Sequence, residues 1–115
     1  MRKIALLLAL VLMISMPLSV SAAPRALTIN PAIDFDTGTA ACEVMVVGNN
    51  MDELIQVTMT LKYGSNVVDS WYSEGYGYVY MLEHADAVKG RTYDLVVSVI
   101  FDGVVKTPVS IRGTC

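Results

Sequence analysis

The sequence predicts an all-β protein, an antiparallel two-sheet β-sandwich of about seven strands, and three observations carry that expectation. Short runs rich in valine, isoleucine, threonine and aromatic residues recur along the chain, bounded by Gly, Asn, Asp and Ser about every ten residues. Several of these runs alternate apolar and polar side chains with the period of two that a half-buried strand requires. No stretch keeps helical periodicity long enough for a useful helix, and there is no internal repeat or low-complexity tract.

The first residues read as an export signal. Met1-Arg2-Lys3 precedes an apolar run from Ile4 to about Met16, and a small-residue stretch then leads to Ala22-Ala23-Pro24. A charged start, an apolar centre too short for a comfortable membrane span, and an A-x-A-like exit are the parts of a signal peptide. Cleavage is expected after Ala22 or Ala23, with 1–23 as signal and 24–115 as one domain. The competing reading is an uncleaved membrane anchor, which the short span disfavours. No cysteine closely follows the apolar run, and no second apolar run or sorting tail follows, so the expectation is a secreted, extracellular or cell-wall-associated product. Arg2 and Lys3 leave with the signal, taking the formal net charge from −3 to −5. That balance disfavours nucleic acid and anionic membrane surfaces, which need a basic footprint.

In order along the remaining chain, residues 26–29 form a short opening strand halted at Asn30-Pro31, with 33–36 extending it on an edge, where proline is tolerated. Residues 40–47 place Cys42, Val44 and Val46 on one face and Glu43, Met45 and Val47 on the other. Gly48-Asn49-Asn50 ends that strand with strong turn chemistry. Residues 54–63 alternate most regularly: Ile55, Val57, Met59 and Leu61 face one way, Gln56, Thr58, Thr60 and Lys62 the other. Tyr63-Gly64-Ser65-Asn66 is a hairpin turn into 67–72, and Ser73-Glu74-Gly75 breaks the chain again. Residues 76–82 form an aromatic-dense strand with Tyr76, Tyr78 and Tyr80 on one side. Residues 83–90 carry no strand pattern and have room for one helical turn.

Residues 92–112 read as a hairpin turning at Asp102-Gly103. A two-residue turn sets Val99 opposite Lys106 and Leu95 opposite Ser110, mixing faces. A three-residue loop with Gly103 in the left-handed region pairs Val99 with Val105, Leu95 with Val109 and Tyr93 with Ile111. A one-residue slip moves every side chain to the other face, so the pattern favours the three-residue loop.

Val88-Lys89-Gly90-Arg91-Thr92-Tyr93, followed by Leu95, Val97 and Val99, resembles the corner leading into strand F of immunoglobulin-like and fibronectin type III domains. In those domains a tyrosine at the corner bonds back to the main chain, and Tyr93 matches it. Ala41-Cys42, Gly48, the 55–61 strand, Trp71 and Gly90-x-x-Tyr93 together resemble small secreted immunoglobulin/fibronectin type III-like β-sandwich proteins of Gram-positive bacteria. The chain departs from the immunoglobulin pattern where Leu95 stands in place of a cysteine. The resemblance implies a fold and a location and brings no functional site. A small closed barrel remains the competing topology.

Cys42 and Cys115 are the two cysteines of the chain, and in an exported protein an even count invites a disulfide. In an immunoglobulin-like sandwich the start of strand B and the end of strand G lie at one pole, which would bring the two together. Two unpaired thiols are the alternative. Neither cysteine makes a metal site with the lone, distant histidine.

Trp71, Tyr72, Tyr76, Tyr78 and Tyr80 are candidate binding aromatics, since flat rings on a sheet face suit sugars or partner proteins; core packing is the plainer role. Val96, Ile100, Val104 and Pro108 form a candidate interaction face on the side of the hairpin turned away from the core. Glu83-His84-Ala85-Asp86 holds the histidine and reads as a solvated surface. No G-x-S-x-G, H-E-x-x-H or glycine-rich phosphate loop is present. The sequence therefore predicts a non-catalytic binding or structural module without cofactor or metal. Its expected partner is an unknown protein or a cell-surface glycan; a carbohydrate-binding module using the aromatics is the alternative. Oligomeric state is open at this point.

Overall fold

A computed structural model describes residues 27–115; the signal and its cleavage site fall outside the described residues. Eight strands form: β1 (Thr28–Asp36), β2 (Thr39–Val47), β3 (Leu54–Tyr63), β4 (Asn66–Tyr76), β5 (Tyr78–Asp86), β6 (Thr92–Phe101), β7 (Val104–Val105) and β8 (Val109–Thr114). They make two antiparallel sheets. One has the order β1-β2-β5; in the other β4-β3-β6 is completed by β7 and β8, both paired to β6. This is an immunoglobulin-like sandwich rather than a closed barrel.

The core lies between the sheets and comes from the alternation in the sequence. β2 contributes Ala40, Cys42, Val44 and Val46, β3 contributes Ile55, Val57, Met59 and Leu61, and β6 contributes Tyr93, Leu95, Val97, Val99 and Phe101. Val79, Met81 and Ala85 of β5, with Ala87 just past its end, complete it. Ile33, Phe35, Trp71 and Ile111 are half-buried against its margins.

Four expectations about the elements are corrected. β1 is one strand running through Pro31, which stands opposite Val44 on an edge strand where its missing N–H costs no ladder bond. β4 continues through Ser73-Glu74-Gly75, and the break falls instead at Gly77, between the tyrosines. The Gly77 N–H donates to the Glu53 carbonyl at 2.8 Å, and its own carbonyl accepts from the Gly48 N–H at 3.0 Å. Its φ is +75°, and a Cβ there would meet the Met51 Cα at 2.8 Å, so the corner that carries the chain from one sheet to the other needs glycine. β5 then runs on to Asp86 without a helical turn, because Ala40, Cys42 and Val44 of β2 pair with Ala85, Glu83 and Met81.

The fourth correction concerns the final hairpin. Asp102 (φ +51°) and Gly103 (φ +83°) are both left-handed, which defines the two-residue primed turn that Asp-Gly favours. Phe101 therefore faces Val104 and Ile100 faces Val105. That register would set Leu95 against Ser110, yet β8 pairs Val97 with Val109, Leu95 with Ile111 and Tyr93 with Gly113. The irregular stretch at 106–108 inserts the extra residue that restores the apolar face. Turn chemistry decides the tip, and side-chain alternation decides the rest.

The strand-F corner forms as the resemblance implied. Tyr93 is 2% exposed, and its hydroxyl accepts the Val88 N–H at 2.8 Å. Its ring packs between Phe35 and Tyr63, at 5.9 and 5.6 Å between centroids. Gly113 faces it across the ladder, where a Cβ would strike Phe35 Cε2 at 2.9 Å.

Candidate binding face

The two outer faces of the sandwich have different chemistry. On the β4-β3-β6-β8 sheet the outward residues are mostly hydroxyl-bearing and bonded to one another. Thr60 bonds Ser70 at 3.1 Å and Thr92 bonds Thr114 at 2.9 Å. The Arg112 Nε donates to Asp94 Oδ1 at 2.8 Å, and the guanidinium holds the Asp94 carboxyl below its usual range. Arg112 also lines a polar groove with Tyr63, Ser65, Asn66 and Thr92. A hydroxyl-rich surface with paired charges is a solvated sheet face.

The outer face of the β1-β2-β5 sheet is of another kind. Its rows follow from the register: Thr28-Val47-Tyr78, then Asn30-Met45-Tyr80, Ala32-Glu43-Leu82, Asp34-Ala41-His84 and Asp36-Thr39-Asp86. The first three rows bring Met45, Tyr78, Tyr80 and Leu82 together, exposed by 38, 46, 44 and 46%. The last two rows carry Asp34, Asp36, Asp86 and His84, of which Asp34, Asp36 and His84 line a depression together with Thr39 and Ala41. The Tyr80 hydroxyl donates to Glu43 Oε2 in the row between, and that bond to the carboxylate raises the phenol pKa. No lysine or arginine occurs among the fifteen residues of these rows.

The predicted aromatic group is divided. Because the chain changes sheets at Gly77, Tyr78 and Tyr80 lie on the β1-β2-β5 face, whereas Tyr72 and Tyr76 lie on the outer side of β4. Trp71 points the other way, opposite Met59, and covers the core margin instead of offering a platform. Tyr72 is tied into its surface: its hydroxyl donates to Glu74 Oε1 at 2.6 Å and accepts from Gln56 Nε2 at 3.1 Å. The contact to Glu74 raises its pKa.

The predicted hairpin face does not assemble. Val96 and Ile100 are on the outer side of β6, but Ile100 faces Val105, Val104 faces the buried Phe101, and Pro108 lies in the irregular link before β8. The disulfide does not form either, and both cysteines are free thiols. Cys42 is not at the start of β2: it stands opposite Ile33 and Glu83, about 10 Å along the strand from Thr39. Cys115 lies past the end of β8, its N–H bonded to the Arg91 carbonyl and its side chain beside the turn at Asp36, Thr37 and Gly38. Cys115 thus sits by the turn between β1 and β2 while Cys42 lies inside the core three residues into β2, and the two thiols stay apart. Glu83 and His84 likewise diverge, since His84 shares the outer row of Ala41 and Glu83 the inner row of Cys42.

Met45, Leu82, Glu43 and the aspartates of β1 were missed as site residues. The alternation of 40–47 already put Glu43, Met45 and Val47 on one side, but only the pairing with β5 brings Tyr80 and Leu82 beside them.

The fold and this face together define an immunoglobulin-like sandwich with one aromatic, acid-edged outer sheet. No family model matches the chain, and no curated protein matches it. Among solved structures, the chain is similar to beta-glucosidase 3B from Thermotoga neapolitana in complex with glycerol, with a TM-score of 0.43 and 9% identity. The match covers 79% of this chain and 17% of that one, so this chain spans a small part of that protein's length.

Proposed function

We propose that the chain is an exported, non-catalytic binding module whose contact surface is the outer face of the β1-β2-β5 sheet. One observation carries the reading: Met45, Tyr78, Tyr80 and Leu82 are exposed in adjacent rows of one sheet, a contiguous patch of a kind that marks interaction surfaces. Aromatic rings with a polar tip suit such contacts, since they bury large area at low entropic cost. The non-catalytic part is supported by the placement of the reactive groups. Cys42 is enclosed in the core, and His84 and Glu83 point to opposite sides of β5. Export and a cell-wall location rest on the charged start, short apolar run and Ala22-Ala23 exit, and on the resemblance to secreted Gram-positive sandwich proteins.

The test is retention of the purified 24–115 protein on cell envelopes of the organism that makes it. The Tyr80→Ser/Leu82→Ser variant should lose most of its retention, while Thr58→Ala on the other sheet should keep it. Equal retention of all three proteins would sink the reading.

A carbohydrate-binding module is the second reading, favoured by Tyr72 and Tyr76, which are 56 and 62% exposed along β4 beside the Gln56–Tyr72–Glu74 hydrogen bonds. Ring and carboxylate together are the groups that hold a sugar. Glycan pull-down with Tyr72→Ala/Tyr76→Ala separates the two readings, because unchanged retention by that variant eliminates the second.

A further inference from the structure

We infer that the outer face of the β1-β2-β5 sheet docks a cationic protein segment that presents an apolar group and a lysine- or arginine-rich group side by side. The inference rests on the binding-module reading and adds the partner's chemistry. It is carried by the order of residues along the strands. The apolar rows (Val47 and Tyr78, Met45 and Tyr80, then Leu82) occupy one half of the face, and Asp34, Asp36 and Asp86 occupy the other. The centres of the two halves lie about five residues apart on β2, or about 16 Å at the rise of a strand.

Glu43 stands between the halves and is already engaged by Tyr80. Among the described residues, Asp34 and Asp36 accept from the backbone N–H groups of their next neighbours, Phe35 and Thr37, each through one carboxylate oxygen, which leaves the second outside those bonds. The cations close to this end of the molecule lie off the face. Lys89, in the loop past Asp86, lines a pocket with Asp36 at the end of the face without standing in its rows, and Arg91 stacks on the Tyr63 ring at 4.5 Å. Among the described residues the rows of this face hold carboxylates and no lysine or arginine, a balance that attracts a positive partner and repels a negative one.

A second copy of this chain is disfavoured by the same charge. Antiparallel self-docking would lay the carboxylates of each copy on the uncharged apolar half of the other, leaving them buried without a cation. A neutral glycan would stack on the rings and donate hydroxyls to carboxylates, but it brings no positive charge to the rows that hold Asp34, Asp36 and Asp86. A cationic segment uses both halves, and tyrosine rings at the boundary also receive ammonium or guanidinium groups over their faces.

The test is a two-dimensional NMR titration of the 24–115 protein with two synthetic peptides and one neutral chito-oligosaccharide. Each peptide joins a Leu-Trp-Leu block through a Gly/Ser spacer of about eight residues, long enough to span the halves, to a lysine block in one and a glutamate block in the other. The lysine peptide should perturb residues 34–36, 41–47 and 78–86 and bind about tenfold more tightly than the glutamate peptide, with the advantage shrinking at high salt. Asp34→Asn/Asp36→Asn/Asp86→Asn retains the side-chain acceptors for Phe35 and Thr37 and should abolish the advantage. Tyr80→Ser should weaken the lysine peptide in either background.

Equal affinity for the two peptides, or perturbations confined to Thr58, Ser98 and their neighbours, overturns the inference. If the oligosaccharide alone moves the β1-β2-β5 face, the cationic partner is wrong while the binding face stands. If sedimentation shows a dimer that buries the face, the inference is overturned in favour of a second copy.

Discussion

The thiol of Cys42 is enclosed between Ile33 and Glu83 on neighbouring strands, and burial, with Asp69 adding to it, pushes its pKa up to about 11. Unfolding returns the group to its ordinary 9.0. A raised folded pKa means that the thiol form is favoured by folding. The associated stability is complete below pH 9.0 and is lost as pH rises from there through about 11. Cys42→Val removes the titrating group, so its urea midpoint should fall less between pH 8 and pH 10.5 than that of the parent; parallel falls would contradict this. Reactivity follows the same contrast. At neutral pH a thiol reagent should label Cys115 in the folded protein and Cys42 only after denaturation, and two unreactive cysteines in the folded and unfolded states alike would indicate a disulfide instead. Tyr93 makes the complementary point about placement: its buried ring brings its hydroxyl to the Val88 N–H, so its role is at the corner and not at a binding surface.

At the scale of elements, the edge strand β1 carries two devices that keep it from pairing with another chain. Pro31 has no N–H to offer. Phe35, whose N–H points to the same side of the strand, gives it to the Asp34 carboxylate at 3.0 Å. β4 repeats the second device, with the Ser70 N–H bonded to Asp69 Oδ1 at 2.8 Å just past the irregularity at Leu61/Lys62. The Pro31→Val/Asp34→Ala variant exposes two donors on the β1 edge and should show concentration-dependent association by sedimentation velocity, where the parent does not. No change in sedimentation would show that these devices do not guard the edge. The strands themselves were largely legible, because β2, β3 and β6 alternate with a period of two and each has one buried side. The break at Gly77 was not, since it is imposed by the Gly48–Glu53 loop, where the Glu53 carboxylate accepts the Asn49 and Asn50 N–H groups at 2.9 and 2.8 Å. Local chemistry around Ser73-Glu74-Gly75 looked like a turn and was overridden by pairing with β3. The proposed contact face stayed hidden for the same reason. Met45 and Tyr80 meet through a ladder between strands more than thirty positions apart, and no window of sequence contains both.

For the whole molecule, one buried layer holds the fold while one outer face holds the proposed contact, and the two should separate experimentally. Met59 is fully buried in β3 between β4 and β6, so Met59→Ala removes core volume and should cost about 2–5 kcal/mol. Tyr80 and Leu82 lie on the far side of their sheet from that layer, so Tyr80→Ser/Leu82→Ser should stay within about 0.5 kcal/mol per substitution. The bond from Tyr80 to Glu43 does not alter that expectation, because it is solvent-exposed and both groups find water when it is lost. Urea unfolding of the two variants against the parent decides the matter. If the outer-face variant proves as unstable as Met59→Ala, Met45, Tyr78, Tyr80 and Leu82 are a structural layer in their own right, covering the back of β2, and their exposure is no longer an argument for a partner. If it unfolds with the parent, four exposed apolar side chains in adjacent rows contribute little to folding, and loss of envelope retention in that variant reports the contact alone.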